Sequence, residues 1–515
     1  MYAAALNYFL GGFCMKLLEL VDGLHFDVLC GSMDTEVKDI KNDSRKVVEG
    51  DLFFCISGAV SDGHKYAEDV IKKGAVVLVV EKAINTEVPN YVTVIKVDNS
   101  RYAMGVISSK FYGEPSKKLT VIGITGTKGK TTTTYMIREM LEAAGKRTGL
   151  IGTIEILDGV DKIPAKNTTP ESIVLHKTLK CMVDNGLEAV VMEVSSQGLM
   201  LDRVAGVDFD YGIFTNLSKD HIGPNEHKTF EEYTMWKAKL FTLCKVGIFN
   251  LDDKFMSEMT KTAKCDIITY GMNKDADYAA GDFRLYNKGG VLGIEYNLSG
   301  RKNADIIVDL PGEFSVHNSL AAIAIADLLD VPMEDIKVIL RSIKVRGRVE
   351  MIPISDEFTI MIDYAHNAMA LESLLTALKA YKPKRLVTLF GCGGNRSKDR
   401  RYEMGEVSGN LSDFTIITSD NPRDEEPLDI INDIKTGISK TDGEYIEIPD
   451  RKEAIRYAIM NGRSGDVIVL AGKGHEDYQE IKGVKHHMDE RDLIKEVLEE
   501  EDVTKICGYN NRYFA

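Results

Sequence analysis

The stretch "LTVIGITGTKGKTTTTYMIREMLEAAG", Leu119 to Gly145, confines this chain more than any other. A β-branched apolar run reads as a buried strand, a glycine turn follows, and a long helical pattern starts directly after it. Strand, turn and helix in that order predict an α/β domain with a largely parallel sheet, since parallel strands are joined by crossover helices. The turn also carries chemistry. Gly126 and Gly129 let backbone N–H groups approach a phosphate closely, Lys130 brings positive charge, and the Thr131 hydroxyl can ligate Mg²⁺. Only two residues separate Gly126 from Gly129, however, whereas the usual phosphate loop has four between its glycines. An ordinary tight turn would read the same by itself. The strand before it and the helix after it favour the nucleotide.

The α/β grammar recurs on both sides. Between Leu17 and about Lys118, "GDLFFCISG" and "AVVLVVEK" read as buried strands around a helical "HKYAEDVIKKG". From "RGRVEMI" onward, "TIMIDYAH", "RLVTLFGCGG", "FTIITSDNP" and "DVIVLAGKGHE" are strands ending in glycine, charged or histidine turns, the place where open α/β sheets bind ligands. At about 100–200 residues per domain, 515 residues divide into three. The expected boundaries are 15–117, 118–345 and 346–515, with "GEPSKK" as a linker. Residues 1–14, "MYAAALNYFLGGFC", lack a basic start and read as an extension rather than an export signal.

A formal charge of −15 disfavours long-range attraction to nucleic acid or an anionic membrane, so a polyanionic ligand must be held by local groups. The eight cysteines are scattered without a C-x-x-C pair, as in reduced cytoplasmic proteins, and no apolar run is long enough to span a bilayer. For a metal, "VVMEVSS" puts Glu193 and "FTNLSKDHIG" puts Asp220 and His221 at strand ends. Each could equally be a cap, but hard oxygen ligands beside a phosphate loop suit Mg²⁺.

These segments also resemble a family. "GITGTKGKTTT", "NTTPES", "MEVSSQGL", "TNLSKDHIGPNEH", "FEEYTMWKAKLF", "FSVHNSLAA", "VRGRVEM", "DYAHN", "GCGGNR", "TSDNPR" and "LAGKGHEDYQ" are similar in order and approximate spacing to the Mur ligases, which use the short G-x-x-G-K-T loop. The resemblance covers about Met15 to Leu498. It implies three α/β domains: a uridine-nucleotide domain, a central phosphate-loop ATPase domain and a Rossmann-like carboxyl-terminal domain. It implies an ATP-dependent amide ligase of peptidoglycan precursor synthesis, a cytoplasmic monomer. Its acceptor would be UDP-N-acetylmuramoyl-L-alanyl-D-glutamate, activated as an acyl phosphate and attacked by an amine. It assigns Gly126 to Thr132 to ATP, and Lys130, Glu193, His221 and Lys237 to catalysis. Thr131, Glu193, His221 and Lys237, the last as a carbamylated lysine, would hold Mg²⁺. The residues alone leave Lys237 and Lys239 equally eligible. It further places Asn318, Arg348 and Asp363 at ATP, and Ser44, Asn167, Thr168, Thr169, Ser195 and Arg203 at the acceptor. Nothing in the sequence accounts for Lys128, which stands where the family often has asparagine.

For the incoming amine the resemblance points to Arg396, Asp420, Asn421, Pro422, Arg423, Gly472 and Glu476. Family members with "DNPR" usually add meso-diaminopimelate, which differs from lysine by a second carboxylate that Arg423 could grip with its planar fork. "DNP" is also ordinary turn chemistry. Three alternatives stand beside this expectation: the same ligase adding L-lysine, a folylpolyglutamate-synthase-like ligase, and a non-catalytic phosphate-loop module.

Overall fold

The computed structural model describes residues 14–58, 61–219, 222–223, 226–288 and 290–510. The chain packs as two compact units. The first runs up to Lys130 and adds Gly145–Phe249 and Asp253–Ile268; the second comprises Thr131–Ala144, Asn250–Asp252 and the chain from Thr269.

Besides the short pairing of Met15–Lys16 with Glu36–Val37, the first unit holds two sheets. One has five strands in the order Asp27–Cys30, Thr93–Lys96, Val77–Val80, Asp51–Phe54, Asp39–Lys41, antiparallel at the first pair and parallel thereafter. Its buried runs feed both faces in alternation: Phe54, Val77 and Val79 enter one core, Phe53, Leu78 and Val80 the other. The other sheet contains the parallel strands Thr148–Ile151, Ala189–Glu193, Thr120–Thr125, Phe209–Phe214 and Cys244–Asn250, in that order. In register, Glu193 lies beside Ile124 and Phe214 beside Thr125. The residues that follow each strand therefore emerge together at one sheet edge.

The second unit has an antiparallel meander, Tyr278–Lys288, Val291–Gly300 and Ala304–Val308, followed by the helices Phe314–Leu328 and Met333–Ser342. It also has a six-stranded sheet in the order Glu350–Ile352, Thr359–Asp363, Asp466–Ala471, Arg385–Phe390, Phe414–Ile417, Tyr445–Glu447, parallel except at the first pair. Met361, Val467 and Val469 pack on one face, Ile360, Ile362, Ile468 and Leu470 on the other.

The α/β class expected from the sequence is the class observed. Two local features add to that reading. In the "GEPSKK" stretch, Pro115–Lys118 is a 3₁₀ turn with Pro115 and Ser116 buried, and Ser116 Oγ accepts a hydrogen bond from the Asp208 N–H. The helix Lys130–Ala143, continuous in sequence with the glycine turn, packs with the second unit from Thr131 on. All eight cysteines are free, and among the described residues no helix is long and apolar enough to cross a membrane.

Within the second unit a buried ion pair ties two strand ends. Arg451 and Glu490, with side chains 1% and 0% exposed, pair at 2.7 Å. Arg451 also donates to the carbonyls of Ser419 and Ala471. We expect Arg451→Met to strand the buried Glu490 carboxylate and cost about 3–5 kcal/mol, read as a lower urea midpoint. A variant within about 0.5 kcal/mol of wild type would show that the pair is not structural.

Candidate functional site

In the first unit the site grows from the end of the strand Thr120–Thr125. Gly126 takes φ +149°, and a Cβ there would stand 1.9 Å from Thr215 Oγ1, so only glycine fits. The turn is clamped by the strand beside it. Thr127 N–H donates to the Asn216 carbonyl at 2.8 Å, Lys128 N–H to Asn216 Oδ1 at 2.9 Å, and Asn216 Nδ2 back to the Lys128 carbonyl at 3.0 Å. Thr215 Oγ1 donates to that same carbonyl at 2.7 Å. These bonds hold residue 128 through its backbone.

Two ammonium groups converge on the Gly126 carbonyl, Lys130 Nζ at 2.8 Å and Lys237 Nζ at 2.8 Å. Lys237 lies on the helix Phe230–Ala238, is only 2% exposed, and stands 4.6 Å from the centre of the Tyr233 ring. Its neighbour Lys239 turns away to pair with Asp202 at 2.7 Å. The geometry therefore separates two lysines that the sequence left equal.

Glu193 is buried across the same sheet edge. Its Oε1 accepts the Thr153 N–H at 2.8 Å and its Oε2 the Thr153 hydroxyl at 3.0 Å. From Thr153 the network continues through Thr168 at 3.1 Å, while Thr169 Oγ1 bonds the Glu193 carbonyl at 3.0 Å and Ser195 Oγ at 3.2 Å. Arg203 donates to the Thr169 carbonyl at 3.0 Å and pairs with Glu171 at 2.6 Å. Thr168, Thr169, Ser195 and Arg203 are thereby gathered around Glu193. Asn167 is exposed beside them, and no hydrogen bond joins Ser44 to the cluster; its carbonyl is held by Lys73 at 2.9 Å.

His221 and its neighbour Asp220 lie outside the described residues, as do residues 1–13. Among the described residues no group of three or more His, Cys, Asp or Glu is arranged to hold a metal ion. A cation at this edge of the first unit would meet the carboxylate oxygens of Glu193, with phosphate and water completing its shell. That donor set fits Mg²⁺.

The second unit presents another set. Thr133 Oγ1 reaches Asn318 Oδ1 at 3.4 Å. Asp363 spends both carboxylate oxygens on backbone, Oδ2 on Val349 N–H and Oδ1 on Ala365 N–H, each at 2.8 Å, and burial pushes its pKa up. The Arg348 guanidinium lies over the Tyr364 ring at 4.9 Å, and the His475 ring lies tilted beside it with centroids 4.7 Å apart. Burial, reinforced by Arg348, drives the His475 pKa down to about 4, so its imidazole is neutral near pH 7.

At the ends of the strands Phe414–Ile417 and Asp466–Ala471, Asp420, Asn421, Pro422, Arg423, Gly472 and Glu476 come together. Arg423 has φ +51° and is locked as a bridge to the hairpin Tyr478–His487: its N–H donates to the Glu480 carbonyl at 2.9 Å and its carbonyl accepts from Lys482 at 2.8 Å. Its side chain donates to Gly394 O at 2.7 Å and Glu480 Oε2 at 3.1 Å. Arg396 is exposed on the facing loop. That loop is held by Arg401, which grips Glu425 at 2.7 Å and Asp433 at 2.8 Å and brings the Glu425 pKa down to about 2.

Sequence reasoning missed Thr215, Asn216, Thr153, Tyr233, Arg401 and Lys473. All but Arg401 and Thr153 sit inside stretches singled out for other residues; what they touch becomes visible only when the strand order is known.

Three family descriptions match in succession: "Mur ligase family, catalytic domain" over residues 36–112, "Mur ligase middle domain" over 124–326, and "Mur ligase, glutamate ligase domain" over 347–474. The chain belongs to the Mur ligase family. Its relatives include the UDP-N-acetylmuramoyl-L-alanyl-D-glutamate–2,6-diaminopimelate ligases of Clostridium perfringens, 44% identical over 94% of this chain and 100% of the relative, and of Caldanaerobacter subterraneus, 43% identical over 95% and 100%. A solved structure of a ligase with that name is 29% identical with a TM-score of 0.69, over 95% of this chain and 99% of its own. As a Mur ligase, the chain is an ATP-dependent ligase.

We expect Gly126→Ala to weaken ATP binding about tenfold or more in calorimetry, because the new Cβ and the Thr215 hydroxyl cannot share the space. Adding Thr215→Ala should restore only part of the affinity, since the unusual φ remains; full restoration would show that steric contact is the whole effect.

Proposed function

We propose that this Mur ligase adds meso-diaminopimelate to UDP-N-acetylmuramoyl-L-alanyl-D-glutamate, with ATP as co-substrate, in peptidoglycan precursor synthesis. Identity of 44% over nearly the full length of a ligase of that name supports the reading, and the DNPR turn carries the choice of amine.

The chemistry follows from the substrates. A carboxylate is a poor acyl donor. Its oxygen attacks the γ-phosphorus of ATP, the bond from that phosphorus to the bridging oxygen breaks, and ADP leaves. The amine nitrogen then attacks the acyl carbon, a C–N bond forms, orthophosphate departs with the C–O bond, and the nitrogen loses a proton. In this proposal the Gly126–Thr132 turn cradles the phosphates, and Lys130 neutralises charge that grows during phosphoryl transfer. Thr131 and Glu193, with His221 and a carbamylated Lys237, would hold Mg²⁺, which offsets phosphate charge when bound. Arg348, Asp363 and Asn318 serve the nucleotide, and Thr168, Thr169, Ser195, Arg203, Asn167 and Ser44 the acceptor. The three domains would divide near residues 117 and 345. The protein would act as a cytoplasmic monomer on small anionic substrates, and its net charge of −15 suits neither nucleic acid nor an anionic membrane.

Arg423 explains why diaminopimelate would be chosen over lysine. Its Nε edge is engaged by Glu480 and one Nη by Gly394, which fixes the plane of the fork. The remaining Nη is left for the distal carboxylate, with the Gly394-bound Nη able to share. Lysine has no group to match it. When both amines compete for one acceptor with ATP and Mg²⁺, diaminopimelate should win by roughly 30–150-fold, and Arg423→Ala should abolish most of that preference. Lysine winning, or Arg423→Ala keeping the preference, would sink this assignment; no ADP release with any diamino acid would favour the non-catalytic module.

A further inference from the structure

Among the described residues, Lys473 is the cation enclosed by the amine-side residues of the second unit, and its surroundings assign it a task. Its side chain is 0% exposed. The ammonium has three N–H groups, and each has an acceptor: Asn421 Oδ1 at 3.0 Å, Glu476 Oε2 at 2.9 Å, and the Tyr478 carbonyl. No donor remains for a ligand. Lys473 therefore acts through its neighbours.

Those neighbours are fixed in a definite sense. Asn421 Oδ1 accepts from both Lys473 and the Glu480 N–H at 2.9 Å, which dictates which end of the amide is oxygen. Its Nδ2 then donates to Glu476 Oε2 at 2.9 Å. Oε2 of Glu476 is thus taken twice, while Oε1 accepts no hydrogen bond from any described residue. Asp420 stands 3.8 Å from the same ammonium, and its carboxylate likewise accepts none. Two carboxylates around one enclosed ammonium leave one negative charge uncompensated, and its open acceptors are Glu476 Oε1 and the Asp420 carboxylate.

We infer that Lys473 is a positioning and specificity residue for the amine substrate: it turns Glu476 and Asn421 so that Glu476 Oε1 and Asp420 together receive an ammonium group. The inference rests on the proposed function, in which the nitrogen at one end attacks and Arg423 holds the distal carboxylate, and it assigns Glu476 Oε1 and Asp420 the distal ammonium. A neutral or anionic group at that end would leave the extra charge unbalanced, so the site should reject amines that lack an ammonium there.

The pH dependence of the site follows. Burial pushes the Glu476 pKa up, but the Lys473 charge and the hydrogen bonds from Lys473 and Asn421 outweigh it, and the net shift is downward. Besides Lys473 and Asp420, the titratable groups facing Glu476 are His475, neutral above its pKa of about 4, and Tyr364, whose pKa burial raises to about 12. With Lys473 present, Glu476 is a carboxylate throughout the neutral range. Without it, burial dominates, the pKa rises, and the ammonium-binding form is lost as pH falls.

The test is steady-state kinetics with meso-diaminopimelate, ATP and the muramoyl-dipeptide nucleotide on the full chain. Lys473→Met is expected to raise the KM for diaminopimelate roughly tenfold or more, with the KM values for ATP and nucleotide within about twofold of wild type. The increase should grow from about pH 8 to about pH 6, and Lys473→Arg, which restores the charge, should recover part of it. Equal rises in all three KM values, or a loss of kcat alone at every pH, would overturn the inference. Should Lys473→Met fail to fold, the wild type decides: its KM for diaminopimelate is expected to stay within about twofold between about pH 8 and pH 6, and a steep rise overturns the inference. Wild type that ligates no diaminopimelate would instead end the functional reading itself.

Discussion

Everything at the first site depends on how closely the backbone can pass at Gly126. A side chain there would collide with the Thr215 hydroxyl, and the carbonyl of this residue collects hydrogen bonds from both Lys130 and Lys237. Two cations thus sit beside the turn, in a protein whose net charge is −15. Because the overall field opposes a polyanion, attraction must come from charges and dipoles within a few ångströms. A glycine turn at the start of a helix, backed by two lysines, concentrates them there.

The second unit solves a different electrostatic problem. An amino acid with two carboxylates and two ammonium groups needs both signs presented within one cleft, yet uncompensated buried charge is costly. Each group proposed for recognition is held by a partner of opposite sign: Arg423 by Glu480, Glu476 by Lys473, and the supporting loop by Arg401 between Glu425 and Asp433. Behind them Arg451 and Glu490 fix the carbonyl ends of two parallel strands. The pairs orient the groups and keep them ionised at modest desolvation cost, and rigidity of this kind is what allows a site to discriminate between similar ligands.

Much of this was legible along the chain. The buried strands, their parallel arrangement and the glycine turns at their carboxyl ends follow from residue type and period, because a strand covered on both faces must be apolar at every position. The motifs around Glu193, Lys237 and Asp420–Arg423 were visible too. What stayed hidden was pairing. Lys237, in the last turn of its helix, and Lys239, just past the end of it, are two residues apart, and only packing sends one to Gly126 and the other to Asp202. Asp363 reads as a candidate ligand-side acid, while both its oxygens are found on backbone amides. Lys473 was passed over between two glycines, since a lysine in a turn is ordinarily solvated.

By itself, then, the sequence determined the α/β class, the glycine positions where no side chain can stand, and the family to which the chain belongs, all of which depend on short-range sterics and periodicity. The tertiary structure decided which charge faces which. It placed Asn216 against residue 128, sent Lys237 and Lys239 to different partners, and enclosed Lys473 between Asn421 and Glu476. Those choices depend on distances between residues far apart in the chain, and at low dielectric a few ångströms determine whether a charge is a cost or a binding group.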